Sequence, residues 1–324
     1  MINQPLVTIG ITTYNSNLIY LSEALESVIN QNYKNIEVIV CDDFSKNIDQ
    51  IKNLIDSKND QRISFISKRE NKGVSDSLNK IIEKSKGKFF CWCPDDDYMH
   101  KSRVKNQLVS LKNDSESISL CNHYQVIDYF KIKRKIGHQL YLFFINHYLY
   151  SIFFDRINSG SLMIPIEILK KYKFDLKLKH IQDYDVLHKI FKKNSIVHLN
   201  EYLFFSRTHS KQESEKNYKI ASKEISEFYL NFFKENLFYI LYFFGKKNFF
   251  LIYTFFIFRG IDQAANYLIN ENHIKTIVKN FFRIGFSFSI LLNICKILGL
   301  TLKVFKILKN ILFYKVLYKF RKTS

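Results

Sequence analysis

Two rhythms of apolar and polar positions alternate along the first hundred residues. Short runs rich in β-branched and aromatic residues, LVTIGIT (6–12), IEVIVC (36–41), RISFIS (62–67) and KFFCWC (88–93), are bounded by polar clusters and predict strands. Between them, SEALESVINQ, IDQIKNLIDSK and VSDSLNKIIEKS repeat apolar residues at three- to four-residue spacing, which gives a helix one apolar face. The resulting βαβαβαβ order predicts an α/β fold with a mostly parallel sheet flanked by helices, because parallel neighbours need a crossover on a sheet face.

Ligands on such sheets sit at the carboxyl ends of the strands, so the residues just past each run are the first candidates for chemistry. Thr12, Thr13, Tyr14 and Asn15 close the first run, Asp42, Asp43 and Ser45 the second, and Asp95, Asp96 and Asp97 the fourth. Each group also has a structural reading: Asn15 and Ser16 can cap the next helix, and Asp42-Asp43 can form a turn. Three consecutive carboxylates repel one another and call for a cation or water. A dinucleotide-binding loop is excluded, because the chain reads GITTYNS where GxGxxG is needed, and no GxxxxGK[ST] occurs.

Composition narrows the picture. With 324 residues, 47% hydrophobic and 24% charged, the chain is globular in character and long enough to bury a full core. The net charge of +19 is concentrated at the end: residues 221–324 hold 16 Lys/Arg against 5 Asp/Glu. Five scattered cysteines form neither a CxxC pair nor a disulfide framework, which predicts a reducing compartment. The opening MINQPLVTIG lacks a basic region followed by a long apolar one, so no secretory signal is expected.

The segments VTIGITTYNS, VIVCDDFS, NKGVSDSLNKII, FCWCPDDDYM, HIQDYDVLHKI and YLFFSRTHSKQES, in this order and spacing over roughly residues 5–215, resemble the family 2 glycosyltransferases. Those are inverting enzymes with the nucleotide-sugar-binding GT-A fold. The resemblance implies a catalytic domain over 1–215 in which Thr12, Tyr14, Asn15, Asp43, Gly73, Asn79 and Asp95 bind the donor. Asp43 would accept the imide N–H of a uracil, although Gly73 can equally serve a positive φ before a helix. Asp96, with Asp97 and His209, would hold Mg²⁺ or Mn²⁺ against the donor diphosphate, as hard oxygen ligands favour. Arg207 and His209 would close over that diphosphate. Asp183, in the Gln182-Asp183 pair that replaces the family's Glu-Asp, would be the general base taking the proton of the acceptor hydroxyl. Asp185, two positions on, should point about 200° away on a helix. INSGSLMIP (157–165) resembles the acceptor-side lining.

Beyond residue 215 the pattern changes to aromatic-rich apolar blocks at 236–260, a run of 19 residues at 284–302 with Lys296 inside it, and lysines at 303, 306, 309, 315 and 319. This predicts a helical, basic, membrane-associating region over 216–324, with no nucleic-acid motif. The expected protein is therefore cytoplasmic and peripheral at the inner face of the cell membrane. By resemblance it would pass a sugar from a nucleotide-sugar, expected to be a UDP-sugar, to a saccharide or lipid-linked acceptor in surface polysaccharide synthesis. The competing expectation, drawn from Pro94 and Gln182 standing where the family has acids, is a catalytically degenerate membrane-associated scaffold.

Overall fold

The computed structural model describes residues 4–112, 114, 116–127, 132–137 and 157–209, together with positions 220, 224, 227, 228 and 231. The chain divides into two units, Met1–Asn217 and Tyr218–Ser324, and every element named below belongs to the first. The apolar blocks and the lysine series expected in the C-terminal region lie outside the described residues. Among the described residues no helix is long and apolar enough to cross a membrane.

The first half follows the alternation: β1 (Val7–Thr13), α1 (Leu18–Ile29), β2 (Ile36–Asp42), α2 (Ile48–Ser57), β3 (Ile63–Ser67), α3 (Val74–Lys84) and β4 (Phe89–Trp92). These strands lie in the order β3-β2-β1-β4, all parallel. Val7, Ile9 and Ile11 on one face of the central β1 are wholly buried, and so is Thr8 on the other, as expected for a strand covered on both sides. Gly10 has a packing reason: a Cβ there would lie 2.7 Å from the Phe90 ring and 3.0 Å from Ile81, so its absence lets β4 and α3 close onto β1.

The second half comprises β5 (Tyr98–Met99), α4 (Arg103–Leu111), β6 (Ile118–Ile127), β7 (Ile132–Ile136), β8 (Leu162–Pro165), α5 (Ile166–Lys171), α6 (Gln182–Phe191) and β9 (Ile196–Thr208). The sheet continues from β4 through β8, β6 and β9 to β5, while β7 pairs with β6. Here β8 runs antiparallel to β4 and β6, β7 antiparallel to β6, β5 antiparallel to β9, and only the β6–β9 pair is parallel. The expected mostly parallel sheet is thus a mixed one. The two- and four-residue strands β5 and β8 carry too few positions to show a period, so the sequence did not reveal them. A wholly buried Arg103 binds it together, giving Nη2 to the Leu162 carbonyl (2.9 Å) and Nε to Gln107 (3.0 Å).

Candidate functional site

The carboxyl ends of β1, β2 and β4 meet at one rim, because β1 lies between the other two. At the end of β2, Asp42 accepts from Thr13 Oγ1 (2.9 Å), the Ser45 N–H (2.8 Å) and Ser45 Oγ (2.5 Å), so it is a turn-forming residue. Asn15, at φ +49°, gives its N–H to Ser45 Oγ (2.7 Å) and receives the Lys46 N–H on Oδ1 (2.8 Å). The expected helix cap is instead Asn17, which accepts the Ile19 N–H at 2.9 Å. Asn15 therefore ties two rim loops together, whereas Tyr14 stands 46% exposed beside the half-buried Thr12.

Asp43 is buried and heavily engaged. Its carboxylate accepts the Lys72 N–H (2.8 Å) and the Gly73 N–H (2.7 Å) and pairs with Lys68 Nζ at 2.5 Å. Lys68 also pairs with Asp76 at 2.7 Å. A carboxylate offers about four lone-pair directions, so Asp43 keeps room for one more donor. Gly73 adopts φ +84° and ψ 170° with open space around a virtual Cβ. That backbone region is essentially reserved for glycine, and it aims the Gly73 N–H at Asp43.

At the end of β4 the balance is different. Ser16 Oγ donates to Asp95 Oδ2, and Arg207 gives its backbone N–H to Asp97 Oδ1 at 2.7 Å. Burial first, and then the neighbouring Asp96 charge, push the Asp95 carboxyl up to about 7 and hold Asp97 well above the usual carboxylate range. Asp96 Oδ2 lies 3.1 Å from His209 Nε2. Unlike Asp43, these pair with no lysine among the described residues.

Arg207 departs from expectation. It lies within β9, buried, with Nη1 on the Asp96 carbonyl (2.7 Å), Nη2 paired with Glu23, and its guanidinium 4.2 Å from the Tyr20 ring centroid and 5.2 Å from that of Tyr98. These contacts hold the guanidinium beneath the aspartate turn.

The predicted ligand set Asp96, Asp97 and His209 is not assembled either. Among the described residues no group of three or more His, Cys, Asp or Glu side chains is arranged to hold a metal, because Asp97 is turned onto the Arg207 N–H. What fits is a cation that arrives with phosphates. Mg²⁺ typically takes one or two carboxylates and completes its shell with substrate oxygens and water. Asp95 and Asp96 offer that number, and among the described residues neither is paired with a lysine or arginine side chain.

Asp183 sits in the first turn of α6, accepting Ser159 Oγ on Oδ2 (3.0 Å) and the Tyr184 N–H on Oδ1 (2.9 Å). Ser159 opens a 3₁₀ turn, Ser159–Ser161, in which Asn158 accepts the Gly160 N–H at 2.8 Å. Asp183 and Ser159 form the polar part of an otherwise apolar pocket whose walls include Phe90, Trp92, Phe174 and Leu187. Asp185 is committed to Lys189 at 2.5 Å. Gln182, in place of an acid, is buried.

Asn79, expected on the donor, is engaged elsewhere: Nδ2 donates to the Phe174 carbonyl (2.9 Å) and Oδ1 accepts the Phe174 N–H (3.0 Å). It positions Phe174, a wall of the pocket that contains Asp183.

Sequence reasoning missed Lys68, Asp76 and Glu23, read Ser16 only as a helix cap, and met Ser159 only as part of the 157–165 segment. Lys68 had a usable signal, since it directly follows β3 and so occupies the same kind of rim position as Asp43 and Asp95. The others act across sequence separations that only the fold closes.

A profile of the family described as Glycosyl transferase family 2 matches residues 8–171. An uncharacterized glycosyltransferase of Rickettsia prowazekii is 33% identical over 222 residues, 65% of this chain and 66% of that one. Another, of Rickettsia bellii, is 35% identical over 223 residues, but these make up only 31% of its length. WfaP of Escherichia coli, a UDP-Glc:alpha-D-GlcNAc-diphosphoundecaprenol beta-1,3-glucosyltransferase, is 29% identical over 49% of this chain and 64% of its own. Among solved structures, Staphylococcus aureus TarS (residues 1–349) in complex with UDP-GlcNAc superposes with a TM-score of 0.54 at 19% identity, covering 69% of this chain and 66% of that one. At that identity the likeness concerns the fold.

Proposed function

The chain belongs to glycosyl transferase family 2 and is a glycosyltransferase, and from that premise we propose that it moves a sugar from a UDP-sugar to a hydroxyl of a saccharide or lipid-linked acceptor with inversion. The observation that carries this reading is the contrast between two carboxylate sites. Asp95 and Asp96 follow β4 with only Ser16 and His209 as side-chain partners and no lysine among the described residues, as suits a cation-borne diphosphate, whereas Asp183 stands at the polar edge of an apolar pocket, as suits an acceptor base.

Uracil is favoured by the vacant lone-pair direction on Asp43, which suits an imide N–H. TarS, with the same fold, is solved with UDP-GlcNAc, which supports the same choice. A lipid-linked acceptor is supported by the substrate in the name of WfaP. Bound Mg²⁺ or Mn²⁺, held by Asp95 and Asp96, would offset charge growing on the leaving nucleoside diphosphate.

The chain's own residues then have separate tasks. Lys68, Lys72 and Gly73 fix Asp43 for the base. Arg207 and Ser16 hold the aspartate turn in place. Ser159 orients Asp183, which takes the hydroxyl proton as oxygen attacks the anomeric carbon and the nucleoside diphosphate departs. We also propose a membrane-facing role for 216–324, at the inner face of the cell membrane and in surface polysaccharide synthesis. Salt-sensitive pelleting of the full chain with anionic vesicles is its expected signature, and pelleting that ignores salt contradicts it.

Transfer from a panel of nucleotide-sugars tests the chemistry. Asp183→Asn should retain donor affinity while turnover falls roughly 10²- to 10⁴-fold, the usual worth of a positioned general base. Asp185→Asn should lose far less. A dead Asp185→Asn beside an active Asp183→Asn would overturn the assignment.

A further inference from the structure

On one edge of β6, two strands follow one another. β8 pairs Leu162 with Leu120, and β7 then pairs Ile136 to Ile132 with His123 to Ile127. Side chains two apart on a strand share a face, and directly paired residues project to the same side. Leu120, Tyr124 and Val126 are therefore on one face of the sheet, and with them the partners Leu162, Lys135 and Lys133. Leu162 lines the pocket that contains Asp183. The two lysines thus share a sheet face with that pocket, and from Leu120 to Tyr124 the distance along β6 is about 13 Å at the usual strand rise. Arg134, opposite Gln125, faces the other way.

The lysine stems are set on aromatic rings. Lys135 Nζ lies 5.3 Å from the Tyr202 ring centroid and Lys133 Nζ lies 5.4 Å from that of Phe205. Phe205 stacks on Tyr124 at 5.1 Å, and Tyr124 lies 5.1 Å from Tyr202. Both lysines are exposed, and among the described residues neither pairs with a carboxylate. Two preset, unneutralised cations on the pocket's side of the sheet suit an anionic group on the molecule whose hydroxyl reaches Asp183.

We infer that Lys133 and Lys135 bind the diphosphate of a lipid-linked acceptor whose sugar hydroxyl is presented to Asp183. The inference rests on the transferase reading above and deepens its acceptor side. The pairing register and the aromatic bed set the two ammonium groups in advance, so a diphosphate gains charge-assisted contacts without ordering two free side chains.

The test is calorimetric binding of geranyl diphosphate to the full chain in EDTA, which closes any cation-dependent donor site, with geraniol as the phosphate-free arm. Native protein should bind the diphosphate at least tenfold more tightly than geraniol. Lys133→Gln/Lys135→Gln should lose most of that advantage, as expected for hydrogen bonds to a charged group. Lys133→Arg/Lys135→Arg should keep it, as should Arg134→Gln on the opposite face, and thermal melting verifies that each variant folds. No preference for the diphosphate in the native protein overturns the inference, as does a preference that survives the double glutamine change or that vanishes equally in Arg134→Gln. The readout needs no donor, so absence of sugar transfer with this binding pattern intact would count against the transferase reading alone.

Discussion

Two pairs of aspartates end strands on either side of β1, and they are treated in opposite ways. Asp42 and Asp43 after β2 are absorbed by the protein: hydroxyls, backbone N–H groups and Lys68 occupy their oxygens. Asp95 and Asp96 after β4 receive Ser16 and His209 but no lysine among the described residues, and Asp95 is pushed up to about 7. Carboxylates whose charge is balanced inside the fold build a rigid recognition surface. Carboxylates that no lysine neutralises among the described residues stay open to an incoming cation, so the same residue type braces the frame on one side and is left available on the other.

The comparison breaks most severely at Lys68. Its side chain is 3% exposed and bridges Asp43 and Asp76, so Lys68→Met strands two carboxylates and should cost about 3–5 kcal/mol, as removal of one partner from a buried pair does. Urea unfolding checks this, and a loss below about 1 kcal/mol would mean that the β2 side is not charge-balanced by this lysine. A smaller effect is expected at Gly73, where Ala must adopt φ +84°. About 1–3 kcal/mol is the usual scale of such strain, and donor affinity should fall as well, because the N–H that orients Asp43 shifts.

The β4 side should instead show itself through pH. Asp95 is raised in the folded state, so the folded protein holds a proton that the unfolded chain has already lost between its ordinary pKa of about 3.9 and about 7. Its contribution to stability is therefore present at low pH and is lost as pH rises through that window. In EDTA, the stability difference between Asp95→Asn and the native protein should grow in favour of the variant from about pH 4 to about pH 7. A flat difference would mean that Asp95 is not raised in the folded protein. The smallest stability effect is expected for Asp96→Asn, within about 0.5 kcal/mol of the native protein or slightly stabilising, since it deletes a repelling charge.

Much of this was legible in the chain, for identifiable reasons. The four parallel strands announce themselves through β-branched and aromatic runs bounded by polar clusters, and the aspartates stand out because they cluster at the ends of two of those runs. The antiparallel half escaped because β5 and β8 are short and because β9 is irregular against Cys121–His123 of β6, which breaks the alternation. Partnerships were the least legible part. Asn79 reads as a donor ligand until Phe174, 95 residues away, takes up its amide, and Arg207 reads as a loop cation until Glu23, 184 residues away, pairs with it. Sequence shows which groups can act, while the fold decides which are already occupied.

The central claim is that the β4 aspartates are left uncompensated in order to receive a cation-borne nucleotide. Calorimetric titration of UDP with Mn²⁺ into the native protein and into Asp96→Asn tests it most directly. Native protein should bind UDP in a Mn²⁺-dependent way, with binding lost on EDTA addition, and Asp96→Asn should lose most of that dependence while its melting temperature stays the same or rises. Equal Mn²⁺-dependent affinity in the two proteins would contradict the claim.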